Sequence, residues 1–386
     1  MRARKLGWVV AAGLAGAGWA APTAGQEVVL ESGAAEIELH GRLQVQGRTS
    51  SCSGFPIDEP SACQEDVPGL DWFIRRARLT LTARFNDWIE GRLQPEFGQV
   101  DEVELKDAWG RLLLGPGAHL TIGHFKRPFD GFQLTSSTRI LTIERDLDIP
   151  GVSSLKAASL DELTTKFHLS DRDVGIMLNG GTRDGLLRYW VGAFNGRGPK
   201  ENQDLDTEKQ FVGRGQVAVE VGGLPLKLAA AAALTDVPFK RSSGQLDGEY
   251  FGAYELWAEL GDFDGGPHVQ AGLILSENPL QNVAGEELDL EANDPLADAI
   301  AWQVIGTYRL AVKRSFFVKA VEPLFRVTRA DPNTDLEEDA AWGFTPGVQL
   351  FFDGRNRVAI NWDFASFSDD VSRSESSFKV MYQFYF

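Results

Sequence analysis

The sequence predicts an all-β fold, a transmembrane antiparallel β-barrel of about 16 strands with one inward-folded constriction loop. Three observations carry this reading. Segments of about ten residues alternate in polarity along most of the chain. The connections between them alternate between short and long. The last segment is a run of alternating aromatic residues that stops on Phe386.

Composition sets the bounds. The 386 residues hold 38 Lys and Arg against 55 Asp and Glu, a net charge of -17. That balance disfavours nucleic acid as a partner, because nucleic-acid-binding proteins present basic faces. Charged residues at 24% and hydrophobic ones at 43% describe a folded chain. With only 2 Cys, a disulfide-dense scaffold and a cysteine-cluster zinc site are both excluded. The slightly negative mean hydropathy excludes a bundle of membrane helices. It leaves a barrel open, since barrel strands alternate and average near neutral.

The first segment reads as an address. Met1-Arg2-Ala3-Arg4-Lys5 is followed by an uncharged Gly- and Ala-rich run from Leu6 to Ala21, then Pro22 and small residues. This is the pattern of a secretory signal peptide over residues 1–25, too short for a spanning helix. Cleavage after Ala20, Ala24 or Gly25 stays open. Residues 26–386 are then the exported barrel. Export implies an oxidising compartment, in which Cys52 and Cys63, in a Gly/Ser/Pro-rich stretch, would form a local disulfide across one surface loop. Two unpaired thiols are the alternative, and neither reading makes them catalytic.

The strand segments follow in order: 36–48, 72–85, 88–97, 103–114, 119–127, 172–180, 186–195, 211–221, 225–235, 249–260, 267–276, 299–311, 316–328, 340–352, 356–366 and 375–386. The clearest puts Ala77, Leu79, Leu81, Ala83 and Phe85 on one face and Arg76, Arg78, Thr80, Thr82 and Arg84 on the other. Ala229 to Ala233 would prefer a helix by propensity alone. Segment 316–328 mixes polar and apolar residues on both faces.

Between these segments the turns are short at Asn86-Asp87, Gly115-Pro116-Gly117, Thr182 to Gly185, Gly222 to Leu224, Gly261 to Gly266, Lys313 to Ser315 and Asp353 to Asn356. The connections at the other end are long, except 98–102. A soluble sandwich has no reason to keep one end short, whereas a bacterial outer-membrane barrel has short periplasmic turns and long outer loops. An even strand number brings both termini to the periplasmic side. Closing the ring requires the last strand to pair with the first, because an open edge in lipid is not viable. Phe378, Val380, Tyr382, Phe384 and Phe386 fit that role, and Trp and Tyr at strand ends fit interfacial girdles.

A barrel of this width has a polar, water-filled interior. The alternation then places Arg76, Arg78, Arg84 and Arg92 inside, with Glu90 and Glu96 on the same side. These arginines either face solute or pair with the acids of neighbouring strands. The connection 128–171 is long, and such loops are usually functional. Its Phe129, Phe132, Leu134, Ile140, Leu141, Ile143 and Ile149 need something to pack on, and folding into the lumen would supply it. Arg139 and Arg145 would then stand at a constriction, with Lys126 and Arg127 at its root. In the alternative, Glu144 and Asp146 pair with these basic groups and only fix the loop's shape.

The connection 277–298 carries Glu277, Glu286, Glu287, Asp289, Glu291, Asp294 and Asp298 with no Lys or Arg. It reads as a solvated acidic outer surface or as a place for divalent bridging to lipopolysaccharide. No catalytic, metal or cofactor site emerges. His40, His119, His124, His168 and His268 are scattered, and there is no GxSxG elbow and no phosphate-binding GxxxxGK[ST] loop.

Residues 119–196 resemble the phosphate-selective porin O and P family. Gly123-His124-Phe125-Lys126-Arg127-Pro128-Phe129 resembles the family's strand running into its constriction loop. Thr135-Ser136-Ser137 with Ile143-Glu144-Arg145 resembles the loop, and Phe194-Asn195-Gly196 resembles a strand end in the middle of the family barrel. Lys106-Asp107-Ala108-Trp109 and the strand of Arg76 and Arg78 also fit. The resemblance implies a 16-stranded, usually trimeric channel for passive uptake, some members of which select phosphate with an arginine ladder and a lysine cluster. This chain departs from that pattern, being strongly acidic with few lysines on the inward faces. A basic track of Arg76, Arg78, Arg84, Arg92, Lys126, Arg127, Arg139 and Arg145 is the expected anion path. The expected function is an outer-membrane porin for small hydrophilic solutes, anions such as phosphate among them, in outer-membrane lipid and lipopolysaccharide, as a homotrimer. An outer-membrane barrel enzyme and a secreted all-β binding protein are the other readings.

Overall fold

The computed structural model describes residues 28–32, 35–53, 67–99, 102–115, 117–149, 157–196, 198, 209–236, 250–279, 282–283, 286–287, 296–336, 339–368 and 374–386. The expected signal peptide and Cys63 lie outside the described residues, as does the side chain of Cys52.

The chain forms a closed antiparallel barrel of 16 strands. A short strand, β1 (Val28–Ser32), precedes the wall. The first half of the wall is β2 (Ala35–Ser53), β3 (Val67–Asn86), β4 (Ile89–Gln99), β5 (Glu102–Gly115), β6 (Ala118–Lys126), β7 (Arg172–Gly181), β8 (Leu187–Phe194) and β9 (Gln210–Val221). The second half is β10 (Leu224–Asp236), β11 (Tyr250–Asp262), β12 (Gly265–Glu277), β15 (Asp298–Ala311), β16 (Ala320–Asp331), β17 (Ala341–Phe351), β18 (Arg357–Phe367) and β19 (Ser374–Tyr385). A two-stranded hairpin, β13 (Asn282–Val283) and β14 (Glu286–Glu287), stands in the acidic connection. Two helices, α1 (Gly131–Leu134) and α2 (Leu160–Lys166), lie between β6 and β7.

Every expected segment falls on one wall strand. The largest boundary differences are at the β2–β3 connection, where β2 runs on to Ser53 rather than 48 and β3 begins at Val67 rather than 72, and β16 begins at Ala320 rather than at 316. Phe316 and Phe317 belong to the preceding turn, where they are 79% and 71% exposed and meet edge to face. The alanine run forms β10 against its helix propensity. Ala229, Ala231 and Ala233 are buried on one face, in a cluster with Phe129, Phe132 and Leu160 of the 127–171 segment. Small side chains there leave room for a second layer, and tertiary packing overrides propensity.

The wall inverts the profile of a soluble core. Trp72, Leu79, Phe85, Tyr254 and Trp362 are exposed, while Arg76, Gln349, Arg357, Asn361, Asp363 and Lys379 are buried. Apolar residues outside and polar ones inside are what a lipid surround requires.

The ring closes between β19 and β2, in register from Ser374 opposite Ser53 to Tyr385 opposite Arg42. The amide of Phe386 donates to the Gly41 carbonyl at 3.1 Å and its carbonyl accepts from the Gly41 amide at 2.9 Å. The Phe386 ring lies over Gly41, where any Cβ would stand 1.9 Å from a ring carbon. Below this point β1 pairs with β2, from Val28 opposite Leu39 to Ser32 opposite Ala35. Residues 36–39 of β2 pair with β3 as well, so β1 occupies the same edge of β2 that β19 occupies higher up.

Candidate functional site

The connection from β6 to β7 organises the site. It leaves the wall at Lys126 and meets β16–β19, which lie across the ring from β6. Its main chain is held there by side chains of those strands. Arg326 of β16 donates one guanidinium nitrogen to the carbonyls of Glu144, Arg145 and Asp146 at 3.2, 2.7 and 2.9 Å. Another Arg326 nitrogen reaches the Asp363 carboxylate of β18 at 2.9 Å. Lys379 of β19 donates to the Leu147 carbonyl and to Asp363 at 2.8 Å. Arg357 donates to the Ile140 carbonyl and Gln349 to that of Leu141, at 2.9 and 2.7 Å. The Ile143 amide donates to Asn361 at 2.6 Å. Main chain outside helices and strands leaves carbonyls unpaired, and buried ones must find donors. Here cationic wall groups supply them.

Glu144 fastens the same stretch to β3. Its oxygens accept from Arg75 at 2.5 and 3.0 Å and from Arg76 at 2.8 Å. Two consecutive strand residues should point to opposite faces. They converge here because the β2–β3 register shifts, with Gln44 opposite Arg76 and Val45 opposite Ile74, so Arg75 sits in a bulge. Burial alone would push the Glu144 carboxyl up. The guanidiniums of Arg75 and Arg76 outweigh it and hold the group well below the usual carboxylate range. Asp148 goes the other way. Burial, opposed by Lys379 and reinforced by Glu144 and Asp146, pushes its carboxyl up to about 6.

The root of the segment is fixed at the opposite wall. Asp130, at φ 63°, caps α1 by accepting from the amides of Phe132 and Gln133. The carboxylate of Glu255 on β11 accepts from the amides of Asp130 and Gly131 at 3.0 and 2.7 Å, and from Arg214 of β9 at 2.5 Å. Ser159 and Glu162 cap α2, with the Glu162 amide donating to Ser159 at 3.3 Å.

The basic residues singled out from the sequence divide accordingly. Arg76 is buried on Glu144 and Gln44. Arg78 pairs with Glu96 at 2.6 Å. Arg127 is buried, bonded to Gln210 at 3.0 Å and to the carbonyls of His168 and Ser170. Arg145 donates to the carbonyls of Phe132 and Thr135 at 3.0 and 2.5 Å. Lys126 donates to the Gln133 carbonyl. Arg92 stands over the Trp109 ring at 5.2 Å, with Arg111 on that ring at 4.3 Å. Arg84 lies near the short-turn end, 3.9 Å from both Glu36 and Glu90. Arg139 is half exposed and 3.8 Å from Asp264 in the turn after β11. The eight groups therefore do not form one continuous open track.

Trp109 meets Gly123 across the β5–β6 pair. Gly123 has φ 133°, and a Cβ there would stand 2.3 Å from the Ala108 carbonyl, so only glycine fits. Lys106 and Asp107 occupy another register shift, and Asp107 accepts from Arg172 at 2.7 Å.

Sequence reasoning missed Arg75, Arg326 and Lys379, and also Arg188, Arg214 and Lys227 along a cavity of about 350 Å³. One side of this cavity is the loop root, with Lys126, Pro128 and Leu134. The other is the wall of β7–β11, with Arg188, Trp190, Arg214, Lys227 and Trp257. Their places on the polar faces of alternating strands were the available signal. Among the described residues no cluster of His, Cys, Asp or Glu could hold a metal ion.

Residues 64–253 match the sequence profile of the phosphate-selective porin O and P family. No curated relative matches. Among solved structures, the outer-membrane channel DcaP of Acinetobacter baumannii aligns over 94% of this chain and 100% of its own, at 11% identity and TM-score 0.58. OprB of Pseudomonas putida at high pH covers 91% of this chain and 94% of its own, at 11% identity and TM-score 0.57. OmpT of Vibrio cholerae, an outer-membrane protein solved in a trimer form, covers 92% and 100%, at 14% identity and TM-score 0.54. At these identities the structures share the fold. The profile match, with the lipid-facing wall and the polar interior, places the chain in the phosphate-selective porin O and P family, as an outer-membrane porin.

Proposed function

We propose that this porin is a passive channel in which the 127–171 segment narrows the lumen and leaves a basic passage on the β7–β11 side. The observation that carries this is the fastening of residues 140–147 by Arg326, Arg357 and Lys379 on the wall opposite β6. Those cations are consumed as anchors. Among the described residues, the groups left to meet solute include Arg188, the half-exposed Arg139 and the stacked Arg92 and Arg111. Small hydrophilic solutes, anions such as phosphate among them, would cross by diffusion, filtered by width and by this field. No chemical step is assigned to any residue. A homotrimer in outer-membrane lipid, its outer loops facing lipopolysaccharide, fits the family and the trimer form of OmpT.

The test is single-channel recording of the refolded protein in a planar bilayer under a KCl gradient. Stable open steps with a reversal potential on the anion side are expected. Protein shown to be folded by heat-modifiable migration, yet giving no steps, would refute the channel. Cation-selective steps would keep the channel and refute the basic passage.

A further inference from the structure

The cavity beside the loop root has two unlike halves. Its basic half holds Lys126, Arg188, Arg214 and Lys227. Two of these are already neutralised. Arg214 is paired with Glu255 at 2.5 Å, and Lys227 with Glu259 at 2.6 Å. Glu259 is itself occupied by His268 and Gln270 at 2.9 and 3.0 Å, so it does not add a free negative charge to the cavity. Arg188 has no ion-pair partner among the described residues, whereas Lys126 donates to the Gln133 carbonyl and has the carboxylates of Asp107 and Asp171 near it. Arg188 therefore brings an uncompensated positive charge to this space.

The other half is apolar and aromatic. Trp190 and Trp257 reach it from β8 and β11, and Met177 from β7. Trp257 is fixed against Gly131 of the loop, within 2.4 Å of where a Cβ would stand. Its indole nitrogen has no hydrogen-bond partner among the described residues. A small inorganic anion would use the cations and leave this half wet. Ligand sites pair a large apolar surface with a few placed polar groups, and a space of about 350 Å³ suits a molecule of ring size.

We infer that this cavity is a binding subsite for small organic anions, a carboxylate carried on an aromatic or apolar body, with Arg188 taking the charge and Trp190 and Trp257 the body. The inference rests on the channel reading and adds a solute class to it. Occupancy would place the solute between loop root and wall, so a bound solute would block ion flow.

Block of KCl current through the reconstituted channel tests it, using sodium benzoate, sodium acetate and inorganic phosphate as probes. Benzoate is expected to halve the current at a concentration about tenfold below that needed of acetate or phosphate, the margin that aromatic contact plus burial gives. Arg188→Gln should raise the half-blocking benzoate concentration about tenfold, as loss of one charge-assisted contact does. Trp190→Leu should raise it for benzoate and leave acetate unmoved. Equal potency of benzoate and acetate in the unmodified protein would overturn the subsite, whether or not the variants fold. Open steps without benzoate block refute the subsite alone. Folded protein without any steps refutes the channel beneath it.

Discussion

At the scale of single residues, Glu144 is the group with most at stake. It is buried and neutralises two guanidiniums, so its loss strands both. Glu144→Gln should destabilise the folded barrel by about 3–5 kcal/mol, read as a drop in the heat-modifiability midpoint. Acid should act through the same group. Its folded value is depressed, so its stabilisation is present above the unfolded value of about 4.3 and is lost as pH falls toward the folded one. Asp148 has the opposite sign. With a folded value of about 6, its contribution is fully present below the unfolded value and lost as pH rises through 6. The loop should therefore hold better at pH 5 than at pH 7 and loosen again in stronger acid. Asp148→Asn should abolish the gain between pH 7 and 5 and leave the acid limb, as midpoints at several pH values would show. Arg76 and Glu144 were each legible in the sequence, but their pairing was not. They are 68 positions apart and meet only once the loop has crossed to β3. Arg75 was hidden for another reason: strict alternation sends it outward, and only the bulge turns it in.

Elements were the most legible scale. Alternation of ten or so residues located every wall strand, because lipid outside and water inside impose period two on each of them. Two kinds of element escaped. β1 is five residues long and has no room to show a period. The helix α2 is short, although Ser159 and Glu162 carry the spacing of a capping box. The alanine run of β10 shows the limit of propensity, since its small side chains are selected by what packs on them. The closing seam gives a sharp test. Gly41→Val puts three carbons into space held by the Phe386 ring. It should cost about 1–3 kcal/mol, and the fraction migrating as compact barrel on an unheated gel should fall. A Gly41→Val chain that also lacks the Phe386 ring, as Phe386→Ala, should recover part of that fraction.

For the molecule as a whole, the alternation of short and long connections disclosed a spanning barrel before any contact was known. The wall on which the long loop docks was not legible, because it depends on which strands lie opposite β6 after closure. That docking should govern conductance. Arg326 serves three loop carbonyls and Asp363 at once, so Arg326→Gln frees the loop at several points. Single-channel conductance of that variant should rise and its current noise increase, while the barrel keeps its heat-modifiable migration. The seam hairpin has a consequence of a different kind. Since β1 fills the lower part of the edge that β19 joins, the arriving C-terminal strand meets a doorstop. It cannot slide further down β2 without colliding with the end of β1, and sliding up would leave the Phe386 carbonyl and the Gly41 amide unmatched. The circumference and tilt of a barrel follow from the offset accumulated around its ring. A five-residue strand outside the wall thus gauges the bore of the whole channel, the way a spacer sets the diameter of a hoop before its ends are joined.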